Sequence, residues 1–284
     1  MKKRWLVLPI ACILLLAGCA GMALFDPAPS GEEREASQVA EPFWEEPVYE
    51  VVPFTAGNQF RSEDGKPLAV YSYQIVLLAL GNADAVSPAG AETAERNIEA
   101  FNSRMRAMAD EMVEQGQAMA ADAAEVYREF GFLAAEYEDD AETSAVFCGE
   151  IISVCLRRGS YTGGTHPNSY VTGYLFDLAS GQFILDPSQL ADDPAAFRAG
   201  AAELLIEKAD RDGPGGYWED YQDIIRGGNG GAALFDEEGM RVVYAPYELG
   251  PYAIGEVELR LDWEELAPLL GPDCMARLGR AETE

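Results

Sequence analysis

From Glu92 to Phe130 the apolar residues of this 284-residue chain recur at helical spacing. Ile98, Phe101, Met105, Met108, Met112, Met119, Ala123, Val126 and Phe130 stand three, four or seven apart and so share one face. A single amphipathic helix of that length has a long apolar stripe to bury, and the flanking segments supply the surface. Tyr49–Phe54 and Leu68–Leu80 read as strands around the turn at Ser62–Pro67, while Phe132–Tyr137 and Ser144–Arg158 return to strand composition. Residues 47–158 therefore predict a ββαββ unit. The methionine stripe suits packing against a sheet, the alternative being an adaptable binding face. Gly116 is the place where the helix would break if it breaks. The acidic run Glu136, Glu138, Asp139, Asp140 and Glu142 reads as a solvated loop.

The second half repeats the mixture. Tyr170–Leu178 and Gln182–Leu185 flank Ala179-Ser180-Gly181, a hairpin signature with glycine where positive φ is tolerated. Pro194–Ala209 and Tyr217–Ile225 are helix candidates. The glycine-rich loop Arg226–Gly231 lacks the lysine and the strand-loop-helix setting of a phosphate cradle. Ala232–Phe235 and Met240–Tyr244 pair across Asp236–Gly239, and Val257–Leu261 gives a last strand. The expected class is α+β: two small subdomains, residues 47–158 and 159–271, with antiparallel sheets packed against helices and a tail at 272–284.

Charge narrows the partners. With 49 Asp and Glu against 20 Lys and Arg the chain carries −29, and no clustered basic residues are present to meet a phosphate backbone, so nucleic acid is not expected as a partner. Cationic partners stay open. The one histidine, His166, excludes any mechanism needing two imidazoles, and no Cys/His spacing suggests a metal or other cofactor. Cys148, Cys155 and Cys274 read as small buried hydrophobes. Strand alternation would point Cys148 and Cys155 to opposite faces and so keep them unbridged.

The N-terminus carries an address. Lys2, Lys3 and Arg4 precede an apolar run, Leu6–Leu16, too short to cross about 30 Å of hydrocarbon, which marks residues 1–18 as a signal peptide. The run ends in Leu16-Ala17-Gly18-Cys19, which looks like a bacterial lipobox, so Cys19 is expected as the lipidated new N-terminus. Acyl chains contribute about 0.8 kcal/mol per buried CH2 and would hold the acidic body on the outer face of the cell membrane. Residues 19–46, rich in Pro, Gly, Ser and acids without period, read as a flexible tether.

Two stretches carry a resemblance. Tyr161-Thr162-Gly163-Gly164-Thr165-His166-Pro167-Asn168, followed by Phe176-Asp177-Leu178 and Ser180-Gly181, and Tyr244-Ala245-Pro246-Tyr247-Glu248-Leu249-Gly250-Pro251-Tyr252-Ala253-Ile254-Gly255 resemble motifs of the extracytoplasmic domain of RsiV-type anti-sigma factors. That domain is shared with the non-catalytic region of PdaC-type peptidoglycan deacetylases. The resemblance spans about residues 48–270. The sigma-binding segment and transmembrane helix of the first group, and the metal-bearing catalytic domain of the second, are not expected here. What the resemblance implies is a non-enzymatic receptor for a cationic protein such as lysozyme, or for a cell-wall component. The alternative is an enzyme or accessory factor of peptidoglycan or polysaccharide modification.

Within those motifs His166 is either an exposed contact residue or a turn histidine bonded to nearby backbone, and Asn168 follows it. Tyr244, Tyr247 and Tyr252 offer flat amphipathic rings beside the carboxylate of Glu248, suited to stacking on sugars or docking a basic protein, and equally able to pin a loop onto the core. No serine or carboxylate pair can be assigned a catalytic role from spacing.

Overall fold

The computed structural model describes residues 44–280 apart from Pro214 and Asn229. The expected signal peptide, Cys19 and most of the tether lie outside the described residues. Strands β1 (Tyr49–Arg61) and β2 (Pro67–Leu80) form an antiparallel hairpin. Helix α1 (Pro88–Phe130) then carries the chain back so that β3 (Tyr137–Cys148) lies parallel to β2. Strands β4 (Ile151–Tyr161), β5 (Asn168–Asp177) and β6 (Gln182–Ile184) add on antiparallel, giving a six-stranded sheet in sequence order. A second, antiparallel sheet follows: β7 (Ala232–Phe235), β8 (Gly239–Tyr244) and β9 (Val257–Asp262). The fold is α+β. The one parallel pair among otherwise antiparallel neighbours arises because a helix, not a turn, joins β2 to β3.

Helix α1 is one unbroken element of 43 residues. Ser87 caps it by accepting from Gly90 N, Pro88 stands at its first turn, and Gly131 closes it with φ 75°. Phe101, Met105 and Met112 of the predicted stripe are buried against Tyr71, Tyr73, Ile75 and Leu77, the alternate residues of β2 that face the helix. Gly116 is not a break. A Cβ there would lie 2.7 Å from both the Tyr71 ring and the Tyr73 hydroxyl, so glycine is what lets helix and sheet approach. Where β3 stops pairing with β2, side chains take over: Asn102 accepts from Leu78 N and donates to Leu78 O, and Thr143 Oγ1 accepts from Val76 N.

Apart from Glu136, which precedes it, the acidic run belongs to β3 and not to a loop. Its charges alternate with the strand period, so Glu138, Asp140 and Glu142 take the outer face while Asp139, Ala141 and Thr143 turn toward α1. Asp139, 3% exposed, is matched there by a bidentate Arg158 at 2.5 and 2.8 Å and by the Tyr73 hydroxyl at 2.7 Å. Burial and the Asp139 carboxylate push the Tyr73 hydroxyl far up. Strand composition at Phe132–Tyr137 yields a strand only from Tyr137 onward.

The far face of β4 and β5 packs on the second sheet. Cys155 meets Ala232, Leu234 and Val243. Ser153 Oγ accepts from Phe235 N, and a Cβ at Gly173 would sit 2.7 Å from Ala233 O. Helix α2 (Pro194–Asp212) packs its Phe197, Leu205 and Ile206 with Leu259 and Leu261 of β9. Short helices α3 (Tyr221–Gly227), α4 (Trp263–Leu270) and α5 (Pro272–Arg277) complete the layer. The expected boundary at 158/159 falls inside β4, which pairs with β5 from Ile151 to Ser160. The expected tail contains α5, whose Cys274 and Met275 are buried with Leu278 and whose Arg277 pairs with Glu150 and Asp177.

Cys148, Cys155 and Cys274 are free and buried. Cys148 and Cys155 do not point to opposite faces, because the chain turns at Gly149 between them. In the β3–β4 register Cys155 lies opposite Ser144, four residues along the strand from Cys148, roughly 13 Å away at strand rise. Distance keeps them apart. No helix among the described residues is long and apolar enough to cross a membrane.

Candidate functional site

The two motif loops meet. After β4 the chain turns through Gly163 and Gly164, at φ 96° and 113°, and Tyr161 donates its hydroxyl to Gly164 O at 2.9 Å. This presents His166. After β8 the segment Ala245-Pro246-Tyr247-Glu248 makes a tight turn closed by Glu248 N donating to Ala245 O at 3.0 Å. Proline at the second position and positive φ at the third are the pattern of a type II turn, whose third residue is usually glycine. Here it is Tyr247, with φ 76°, the one non-glycine residue of positive φ among the described residues.

The His166 ring stacks on Tyr252 with centroids 3.7 Å apart and 11° between planes. Its Nδ1 lies 3.1 Å from Pro167 O and its Nε2 2.9 Å from the Tyr247 hydroxyl. A carbonyl can only accept, so the neutral ring carries its proton on Nδ1 and accepts the Tyr247 proton at Nε2. Trp218 completes the group: its indole Nε1 donates to Tyr247 O at 3.3 Å and its backbone N to Leu249 O at 2.8 Å. Tyr247 is 52% exposed and Trp218 39%. The result is a platform of three rings in mutual contact, His166, Tyr247 and Tyr252, of which Tyr247 is exposed and the other two half-buried, with the exposed Trp218 bonded to the backbone beside them.

The other sequence candidates have different places. Tyr244 ends β8 at 3% exposure in the core, and burial, reinforced by Glu248, pushes its hydroxyl far up. Glu248 faces inward: its carboxylate accepts from Ala245 N at 2.7 Å and Gly231 N at 3.2 Å, pinning the turn. Asn168 opens β5 opposite Ser160 with its side chain exposed, and forms no part of the ring group. Trp218 was not expected, because a lone tryptophan in a glycine-rich stretch carries no period. Among the described residues no cluster of three His, Cys, Asp or Glu side chains could hold a metal ion.

Beside the platform the outer face of the six-stranded sheet is open. A cleft of about 450 Å³ is lined by Glu138, Asp140 and Glu142 of β3, Arg157, Gly159 and Tyr161 of β4, and Glu256 before β9, with Pro167 at its edge. Arg157 gives its guanidinium to Glu256 at 2.8 and 3.4 Å. Burial, with Asp139 adding to it, pushes the Asp140 carboxyl up. The open face was hidden in the sequence by reading β3 as a loop.

No curated protein matches the chain. Two crystal structures of DUF3298-family members are similar. One, from Bacteroides fragilis, is 14% identical with a TM-score of 0.60, covering 84% of this chain and 99% of its own. The other, from Pseudomonas aeruginosa, is 12% identical with a TM-score of 0.46, covering 81% and 97%. The first shares the fold. Residues 215–264, which hold Trp218, the Tyr247 turn and Tyr252, match the family described as a protein of unknown function (DUF3298): the chain contains a DUF3298 domain.

Proposed function

We propose that this chain is a lipid-anchored extracytoplasmic receptor whose platform of Tyr247, Tyr252, His166 and Trp218 docks a cationic protein of the lysozyme type. The observation that carries the reading is Tyr247. A bulky side chain in left-handed backbone costs roughly 1–2 kcal/mol, and such strain persists where the surrounding structure over-determines it. Here Trp218 and Glu248 fix the backbone of the turn and His166 bonds the hydroxyl of a half-exposed ring that a glycine would not supply. Amphipathic rings with few torsions are the side chains that most often anchor protein interfaces. The net charge of −29 supports a basic partner and the RsiV-like motifs point the same way. The anchor in this reading is Cys19.

The test is binding of hen lysozyme to the intact protein in detergent, with purified peptidoglycan as a parallel arm. Affinity for lysozyme should fall with added salt, because charge steering is screened over a Debye length of about 8 Å at physiological ionic strength. Binding to peptidoglycan alone would replace the protein ligand by a glycan. Absence of both at low salt would end the reading. For the anchor, labelled palmitate should enter the wild type and not Cys19→Ser.

A further inference from the structure

The outer face of the six-stranded sheet is covered only in part. Around Cys155 and Gly173 the second sheet lies on it, but further along the strands that cover ends and the cleft beside Glu256 begins. In register across this open face, Glu138 stands opposite Tyr161, Asp140 opposite Gly159, and Glu142 opposite Arg157. Because side chains on one face recur every second residue, the three carboxylates stand roughly 6.6 Å apart in a straight row. Arg157, the cation nearest the row in register, is engaged by Glu256. None of the ion pairs among the described residues involves Glu138, Asp140 or Glu142. Like charges aligned on a sheet destabilise it, and partial burial together with Asp139 pushes the Asp140 carboxyl up.

We propose that this open sheet face is a docking groove for an extended basic peptide segment of a partner protein, carrying arginine or lysine at every second position. An extended chain repeats its side chains at the same roughly 6.6 Å as β3, so alternate cations meet successive carboxylates without bending either backbone. The volume, about 450 Å³, lies within the range of roughly 300–1,000 Å³ that holds ligands larger than an ion. Gly159 leaves the floor low in the middle of the row: a Cβ there would lie 2.8 Å from Asp140 Oδ1. The Tyr161 ring in the lining suits guanidinium stacking. Because Tyr161 ends β4 where the loop that carries His166 begins, and Pro167 follows His166 in that loop, one partner can reach both groove and platform. The proposal extends the receptor reading to a second surface and stands or falls separately from it.

The probe is a short capped peptide with three arginines alternating with threonines, set against an isomer with its arginines in one block, each titrated into the intact protein in detergent. The alternating peptide should bind several-fold tighter. The triple variant Glu138→Gln, Asp140→Asn, Glu142→Gln should lose about tenfold of that affinity, as three partly exposed pairs predict. A control of equal charge change on the solvent side of α1, Glu95→Gln, Glu99→Gln, Asp110→Asn, should lose little. Equal binding of the two peptides, or equal loss in the two triple variants, would overturn the groove in favour of bulk charge alone. Calcium that displaces the peptide at micromolar concentration would overturn it in favour of an ion site. Tyr247→Gly should leave peptide affinity unchanged, so failure of the lysozyme reading and failure of the groove are distinguishable.

Discussion

His166 and Tyr247 are 81 residues apart in the chain and one hydrogen bond apart in the fold, with Nε2 2.9 Å from the phenol oxygen. The bond ties a loop of the six-stranded sheet to a turn of the three-stranded one, so the platform exists only when both sheets are in place. It also fixes which way the Tyr247 ring projects, since the backbone beneath it is already set by the Pro246 turn.

Tyr247→Gly separates presentation from folding. Glycine takes φ 76° freely, and relief of roughly 1–2 kcal/mol of strain offsets loss of the His166 bond and of a half-exposed ring. Thermal unfolding should therefore be unchanged or shifted slightly upward while lysozyme affinity falls at least about tenfold, as for an interface anchor. A variant that binds fully would remove this ring from the site.

Glu248 illustrates the opposite role. Its carboxylate satisfies two backbone donors, Ala245 N and Gly231 N, and Glu248→Ala would orphan both. The expected loss is about 1–3 kcal/mol of stability, less for Glu248→Gln, which keeps an acceptor. Urea unfolding of the two variants checks the order. Equal midpoints would mean that the turn holds itself without the side chain.

Gly116→Ala sets helix propensity against packing. Alanine is worth about 1 kcal/mol over glycine inside a helix, yet its Cβ would press on Tyr71 and Tyr73 at 2.7 Å, and overpacking costs about 1–3 kcal/mol. Packing should win, because both tyrosines are buried and Tyr73 is held by Asp139 and Met112 O. A raised melting temperature would show that helix and sheet can separate slightly at no cost.

Period made most of the fold legible. The stripe from Ile98 to Ala123 and the alternation in β2 gave helix and sheet their partners, although Phe130, the last stripe residue, stays exposed, and the hairpin at Ser180-Gly181 followed from turn chemistry. What period could not give was β3. Aspartate and glutamate are poor strand formers, and Glu138-Asp139-Asp140 looks like solvent-facing chain until Arg158 and Tyr73 arrive from elsewhere to satisfy Asp139. The same blindness hid the Cys148–Cys155 geometry, which depends on a turn at Gly149. In the site, motif resemblance located the two loops. It could not say that Tyr247 faces out while Tyr244 and Glu248 face in, because that depends on one backbone torsion.

Burial opposes ionisation of Asp177, but Ser180, Ala179 N and Arg277 outweigh it and hold its carboxyl below the usual carboxylate value of about 3.9. Asp236 is likewise held low against burial, by Arg260 and the backbone N–H groups of Glu238 and Gly239. A carboxyl with a depressed folded value binds its proton more readily in the unfolded chain. Its contribution is therefore fully present above about pH 4 and is lost as pH falls through the lower, folded value. Asp177 ties the end of β5 to Arg277 of α5 and Asp236 ties the β7–β8 turn to Arg260 of β9, so their protonation should loosen those links. Asp177→Asn and Asp236→Asn should each lower the urea midpoint at neutral pH, and the gap to wild type should close as the pH is taken below about 3. A gap that stays constant down to that pH would mean that these carboxylates act by shape alone and not by charge.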